Sequence, residues 1–206
     1  IEVQDKLNSF GNELTPALQA AIQAHPKKSV DLLRQLGIDD PLWLEMVLQH
    51  HESEDGSGYP QKLTGAEILR GAKIISMADR YTARISKRDT RPMSLPNLAL
   101  RELFMERGQT VDTVIAAYFV RELGLFPPGT VVRLTNGEIG IVSKAADNAR
   151  TPWVHSLIGP RGAPLSFPIR RKTSEALYTI RDVLDPRKLD FPIRLQAIWG
   201  SDAAGA

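Results

Sequence analysis

The sequence predicts an α+β chain in two parts, an all-α helical bundle followed by a small β-rich domain. Three observations predict it. Apolar residues recur at helical spacing as far as about Leu123. A break rich in proline and glycine, "GLFPPGT", then interrupts the pattern. Beyond it, β-rich runs flank Asn136-Gly137, the strongest short hairpin signal in the chain.

Each helix has its own signals. "TPALQAAIQAH" offers Thr15 as an N-cap and Pro16 at the first helical position, where its missing N–H costs nothing. "KKSVDLLRQLG" puts Val30, Leu33 and Leu36 on one face and stops at Gly37. "DDPLWLEMVLQHHE" begins on an Asp cap and Pro41. Its Leu44, Val47 and Leu48 recur at helical spacing, so it delivers His50 and His51 at its C-terminal end. "TGAEILRGAKIISMADRYTARISKR" reads as one long helix with Ile74, Ile75 and Ala78 towards a core and Asp79 beside them. Two further helices are expected near Asn97–Arg107 and Val111–Leu123, which completes a bundle.

In the second part, "VVRLTNGEIGIV" predicts a hairpin, and "WVHSLIG" and "PLSFPIRR" add strands on either side of the turn "GPRGAP". The tail "YTIRDVLDPRKLDFPIRLQAIWG" supplies one more strand or an extended segment packed on the bundle. The closing "SDAAGA" reads as disordered. The expected divisions are 1–126 for the helical domain, 127–175 for the β-domain and 176–206 for a C-terminal extension. By fold analogy the β-domain is expected to be an SH3-like barrel.

Composition narrows the function classes. A hydrophobic content of 42% and a charged content of 24% are those of a soluble globular protein. The formal net charge of +2 gives no argument for binding a nucleic-acid polymer. The absence of cysteine removes disulfides, zinc–thiolate sites and cysteine nucleophiles, and agrees with a reducing, cytoplasmic compartment. No apolar run approaches the roughly 20 residues that span a bilayer. The chain starts "IEVQDKLN" without methionine, so it is expected to be a fragment.

Three of the four histidines, His25, His50 and His51, fall near one another at the expected ends of helical segments. Neutral imidazole is the commonest side-chain ligand of first-row metals. Adjacent residues on a helix point about 100° apart, which suggests that His50 and His51 serve neighbouring ions. With Asp79 they would form an N/O site suited to Fe, Mn or Zn. The competing reading makes His50, His51 and Glu52 helix-end residues on the C-terminal dipole, with Asp79 paired to an arginine. Chemistry and spacing leave both open. In "EDGSGYP", Gly56 and Gly58 are expected to take positive φ, and Tyr59 is displayed beside the histidines, to stack on a base or to pack over the helix end. His155 has no partner in sequence and reads as a strand residue.

"HHESEDGSGYP" resembles the signature of the HD-GYP domains, bacterial cyclic-di-GMP phosphodiesterases of the HD metallophosphohydrolase superfamily. "HPKKSVDLL", "LTGAEILRGAKIISMADRYTA" and "RGQTVDTVIAAYF" resemble further elements of that family in the same order. The resemblance implies metal ligands at His25, His50, His51 and Asp79, with no catalytic side chain beyond them. It implies substrate contacts at Gly58 and Tyr59, and a phosphate clamp at Arg88 and Arg91. The implied cofactors are two or more divalent metal ions, Fe or Mn ahead of Zn. The family's His-Asp pair is expected immediately before Ile1, and without it this piece is expected to be inactive and its metal weak or absent. Ser53 replaces the usual Arg, Thr82 the usual second Asp, and "RDTR" the usual "RPYR".

The implied function is hydrolysis of cyclic di-GMP to pGpG or GMP, by in-line attack of water with departure of the 3′-oxygen. The alternative is a non-catalytic module that binds cyclic di-GMP or a diguanylate cyclase (GGDEF) partner through the GYP loop, which the departures at Ser53, Thr82 and "RDTR" motivate. A weaker third reading is an HD-type hydrolase of another nucleotide. A homodimer is compatible with all three.

Overall fold

The computed structural model describes residues 15–86, 93–145, 150–189 and 196–200. The expectations for Arg88, Arg91 and the tail from 201 onward lie outside the described residues. The chain divides into two compact units, residues 1–94 with 99–117 and residues 95–98 with 118–206.

In the first unit, α1 runs Pro16–Gln35, and the Thr15 hydroxyl accepts from the Leu18 N–H at 3.3 Å. The two segments expected there form one continuous helix through Pro26, so His25 sits in mid-helix and not at an end. Val30 is buried and Leu33 half-buried. Leu36 is 70% exposed, because it is the C-cap and points away from the stripe. Helix α2, Pro41–Gln49, starts where the Asp40 carboxylate accepts from the Trp43 N–H at 3.0 Å. It buries Leu44 and Gln49 and ends with His50 as its C-cap.

The long helix expected next is interrupted. Thr64 and Glu67 close a capping box around a single 3-10 turn, Gly65–Glu67. Ile68 leaves that turn extended, and α3 begins at Arg70 and runs to Ile85. Helix α1 packs on α2, and α2 on α3.

The face of α3 that packs inward is also different from the expected one. Ile74 is 46% exposed and Ile75 38%, Ala78 is half-buried, and Asp79 is exposed. Ala72, Met77 and Tyr81 are buried instead. Beside them run Lys73, Arg80 and Arg84, each paired to an acid from a neighbouring segment. Once its charges are matched, a basic side chain no longer marks the outer face. Two more helices follow, α4 over Pro96–Met105 and α5 over Thr113–Leu123, close to the ranges expected.

The second unit is a five-stranded antiparallel sheet: β1 Val131–Leu134, β2 Ile139–Lys144, β3 Trp153–Ile158, β4 Pro164–Lys172 and β5 Ile180–Val183. The order β4-β3-β2-β1-β5 leaves β4 and β5 at opposite edges, so the sheet is open and the expected barrel is not closed. The tail therefore supplies the extra strand, pairing Val183 with Val132 and Ile180 with Leu134. The β1–β2 hairpin turns at Asn136-Gly137 as expected. Gly137 has φ 90°, and the Asn136 side chain accepts from the Glu138 N–H at 3.0 Å. Val132, Leu134, Val142 and Val154 form the core, with Phe126, Tyr178, Ile180 and Val183 packed against it. His155 is a half-buried strand residue opposite Ile141 and Arg170. A short helix, α6 (Gln196–Trp199), places the Trp199 indole N–H 3.2 Å from the Ser143 carbonyl. No helix among the described residues is long and apolar enough to cross a membrane.

One buried charge ties the β1–β2 turn to β3 and β4. The Glu138 carboxylate accepts from the Ser156 hydroxyl at 2.6 Å and from Arg171 Nε at 2.8 Å and Nη2 at 2.6 Å. Burial alone would raise the Glu138 pKa, but the Arg171 and Ser156 hydrogen bonds outweigh it and hold it below the usual range. A depressed carboxylate stabilises the fold above its unfolded pKa of about 4.3, and that contribution is lost as pH falls through the folded value. Glu138→Ala leaves the guanidinium unpaired and is expected to cost about 3 kcal/mol in urea unfolding at neutral pH. Stability that falls from pH 6 to pH 3 in the parent and less in the variant would assign the acid sensitivity to this pair.

Candidate metal centre

Three imidazoles meet in the first unit. His25 comes from the middle of α1, His50 caps α2, and His51 follows where the chain leaves the helix. His25 Nε2 lies 3.3 Å from His50 Nε2 and 3.1 Å from His51 Nε2. One ligand atom from each of the three falls within 4.8 Å of the others. The His50 and His51 rings lie 4.1 Å apart at 41°, so the expected divergence of adjacent helical residues does not occur. The reason is local: the helix ends at Gln49, and the second imidazole is turned by the departing backbone.

Hydrogen bonding decides what these nitrogens are. His25 Nδ1 lies 2.5 Å from the Ile22 carbonyl, and His50 Nδ1 lies 2.6 Å from the Val47 carbonyl. A carbonyl only accepts, so both rings carry their proton on Nδ1 and turn a bare Nε2 inward. Two bare Nε2 lone pairs 3.3 Å apart repel unless a cation lies between them. Protonating His50 and His51 is disfavoured. Burial lowers the His50 pKa, with His25 adding to the effect while the Val47 carbonyl and Asp79 oppose it. Burial, then His50, His25 and Arg80, push His51 down to about 3. Convergent imidazoles, two of them with their far nitrogens anchored, are the donor set of a divalent metal site.

Asp79 is outside this trio. It is exposed on α3, and its carboxylate is not among the converging ligand atoms. Its charge reaches the site all the same, raising the pKa of His50 and of Tyr59. Tyr59 is half-buried and stacks on His51, with ring centroids 4.9 Å apart at 28°. Burial, then Asp79, push its phenol up to about 12. Of the two placements considered for Tyr59, it packs over the histidines.

The loop behind the histidines is built by residues that the sequence reading passed over. Glu52, expected at a helix end, is 3% exposed, and its carboxylate accepts from the N–H of Gln61 at 2.6 Å and of Leu63 at 3.0 Å. It cinches the returning limb. Ser53 is buried, and its hydroxyl accepts from Arg80 at 3.3 Å; the same guanidinium reaches Glu106 and Thr110. Lys73 bridges Glu54 at 2.7 Å and Asp112 at 3.2 Å. Burial pulls the Lys73 pKa down, but its two carboxylate hydrogen bonds win and raise it. Asp112 also caps α5, accepting from the N–H of Val114 and Ile115. Helix α3 thus pins residues 53 and 54, directly after the histidines, to the segment from Glu106 to Asp112. The Asp112 cap and the capping box at Thr64 are local motifs, while the ion pairs of Lys73 and Arg80 join segments distant in sequence.

Gly56 takes the expected positive φ of 75°, but Gly58 does not. Gly58 is buried, and a Cβ there would lie 2.5 Å from Glu52 Cα and Ser53 N and 2.6 Å from the His51 carbonyl. Close packing, not turn geometry, selects glycine. Gly58→Ala is therefore expected to displace the loop at a cost of about 1–3 kcal/mol in thermal unfolding. It should also shift the His51 and Tyr59 side-chain resonances. Unchanged resonances and melting would refute the close packing.

A family model described as HD domain matches residues 6–115. Among curated proteins, the chain is 29% identical over 140 residues to cyclic di-GMP phosphodiesterase PA4108 of Pseudomonas aeruginosa, covering 68% of this chain and 34% of that protein. It is 39% identical over 119 residues to the cyclic di-GMP phosphodiesterase response regulator RpfG of Xanthomonas campestris pv. campestris, covering 54% and 30%. It is 30% identical over 126 residues to a cyclic di-GMP phosphodiesterase of Vibrio cholerae serotype O1, covering 58% and 26%. The match spans about a third or less of the length of each of these relatives.

Proposed function

We propose, for a chain that belongs to the HD domain family in its HD-GYP branch, that it is a cytoplasmic metal-dependent phosphodiesterase acting on cyclic di-GMP. The observation that carries this reading is the pair of bare Nε2 atoms on His25 and His50, 3.3 Å apart and closed by His51. The names of the relatives supply the substrate class.

His25, His50 and His51 would hold a divalent metal, with Asp79 contributing to a further ion. Oxygen and nitrogen donors without thiolate suit Fe or Mn. A metal bound there supplies positive charge to the phosphoryl oxygens as negative charge develops on them. Water attacks phosphorus in line, the bond to the 3′-oxygen breaks, and that oxygen takes up a proton to give linear pGpG. Arg88 and Arg91 would hold the phosphates, as guanidinium groups do bidentately. Tyr59, with one face against His51, would offer its remaining edge and face to a guanine. Gly58 would act indirectly, by letting the loop close on the His51 backbone.

Two of the departures behind the non-catalytic reading, Ser53 and Thr82, leave the trio intact. Ser53 is taken up by Arg80, and the Thr82 hydroxyl turns back to the carbonyls of Ala78 and Asp79. In full-length protein supplied with Mn²⁺ or Fe²⁺, cyclic di-GMP is expected to be cleaved to pGpG. His50→Ala should lower the rate by at least a thousandfold, about 4 kcal/mol in barrier. Tight binding of cyclic di-GMP without cleavage would establish the binding module instead. Preferential cleavage of a cyclic dinucleotide containing adenine would establish a different substrate.

A further inference from the structure

Proline inside a helix normally costs about 3 kcal/mol, because it removes one backbone donor and crowds the preceding turn. Pro26 sits in the interior of α1, ten residues from its start, and is buried. Its missing N–H is the one that an unbroken helix would direct at the carbonyl four residues back, that of Ile22. This carbonyl is the one to which His25 Nδ1 is anchored, at 2.5 Å. The residue next to the proline thus takes the acceptor that the proline has released.

The second anchored imidazole uses the same device by another route. Val47 lies in the last turn of α2, where the helix has no further N–H to offer its carbonyls. His50 Nδ1 fills that acceptor at 2.6 Å. In both cases a backbone carbonyl without its helical donor fixes which imidazole nitrogen carries the proton and aims the other at the cluster.

We infer that Pro26 is a positioning residue for His25: by withdrawing the helical donor to Ile22 it reserves that carbonyl for Nδ1–H and presents a bare Nε2 to the cluster. This rests on reading the three histidines as a metal centre, although the tautomer itself does not require a metal. Any other residue at 26 restores an N–H that competes for the Ile22 carbonyl. His25 is then free to rotate or to carry its proton on Nε2, where it would block the ligand position.

The test uses the whole chain labelled with ¹⁵N in its histidine rings, with long-range ¹H–¹⁵N correlation spectra recorded without metal at a pH where the rings are neutral. The parent is expected to show His25 as the Nδ1–H tautomer, and Pro26→Ala is expected to show a mixture with the Nε2–H form. Co²⁺ titrated into the same samples should bind the variant about tenfold more weakly, the size of effect seen when the group behind a ligating histidine is lost. Pro26→Val restores the same N–H with more bulk. It should reproduce the change, and it replaces the alanine variant if the smaller side chain fails to fold. A purely structural proline would alter melting but leave the tautomer and the Co²⁺ affinity in place, and that result overturns the inference. A tautomer change in a chain that takes up no Co²⁺ would uphold the positioning role, and the metal reading would then stand or fall on metal-dependent cleavage of cyclic di-GMP.

Discussion

The first unit is organised around the meeting of one imidazole from α1 with two from the end of α2. The His25 Nε2 atom, 3.3 Å from that of His50 and 3.1 Å from that of His51, is not in a comfortable arrangement for a protein interior. With Nδ1 protonated on both, the Nε2 lone pairs of His25 and His50 face one another, and burial disfavours added protons at His50 and His51. The cluster therefore stores a demand for a cation, and the surrounding structure is arranged to keep that demand in place.

Two kinds of support do this. Backbone carbonyls without helical donors, Ile22 and Val47, set the orientation of His25 and His50. Side-chain ions set the path of the chain after His51. Lys73 and Arg80, two turns apart on one face of α3, hold residues 53 and 54 against the segment from Glu106 to Asp112. Glu52 closes the loop from inside, and Gly58 allows the returning strand to lie on the backbone of residues 51 to 53. Tyr59 then has one place to go, over the His51 ring. Mechanism follows from this order of dependence, since substrate-facing residues are only as well placed as the loop that carries them.

The open sheet of the second unit has its own logic. It is held by four core aliphatic residues and by one buried carboxylate that ties the β1–β2 turn to β3 and β4. Its linear strand order leaves both β4 and β5 as edges, which an SH3-like closure would have joined.

The sequence by itself determined the family and the elements whose ends carry local caps and turns. Caps at Thr15 and Asp40, the hairpin at Asn136-Gly137 and the helical spacing along α2 are local effects, set by residues within a turn of each other, so they are legible in order along the chain. The histidines and the GYP loop were legible as motifs for the same reason. Tertiary structure decided which face of α3 is buried. Lys73, Arg80 and Arg84 look like surface residues until Glu54, Asp112 and Glu106 arrive from elsewhere in the chain to neutralise them. It also decided that His25 from α1 meets His50 and His51, and that Gly58 answers to packing. Charge matching and close approach between segments distant in sequence have no local signature, so only the folded chain could show them.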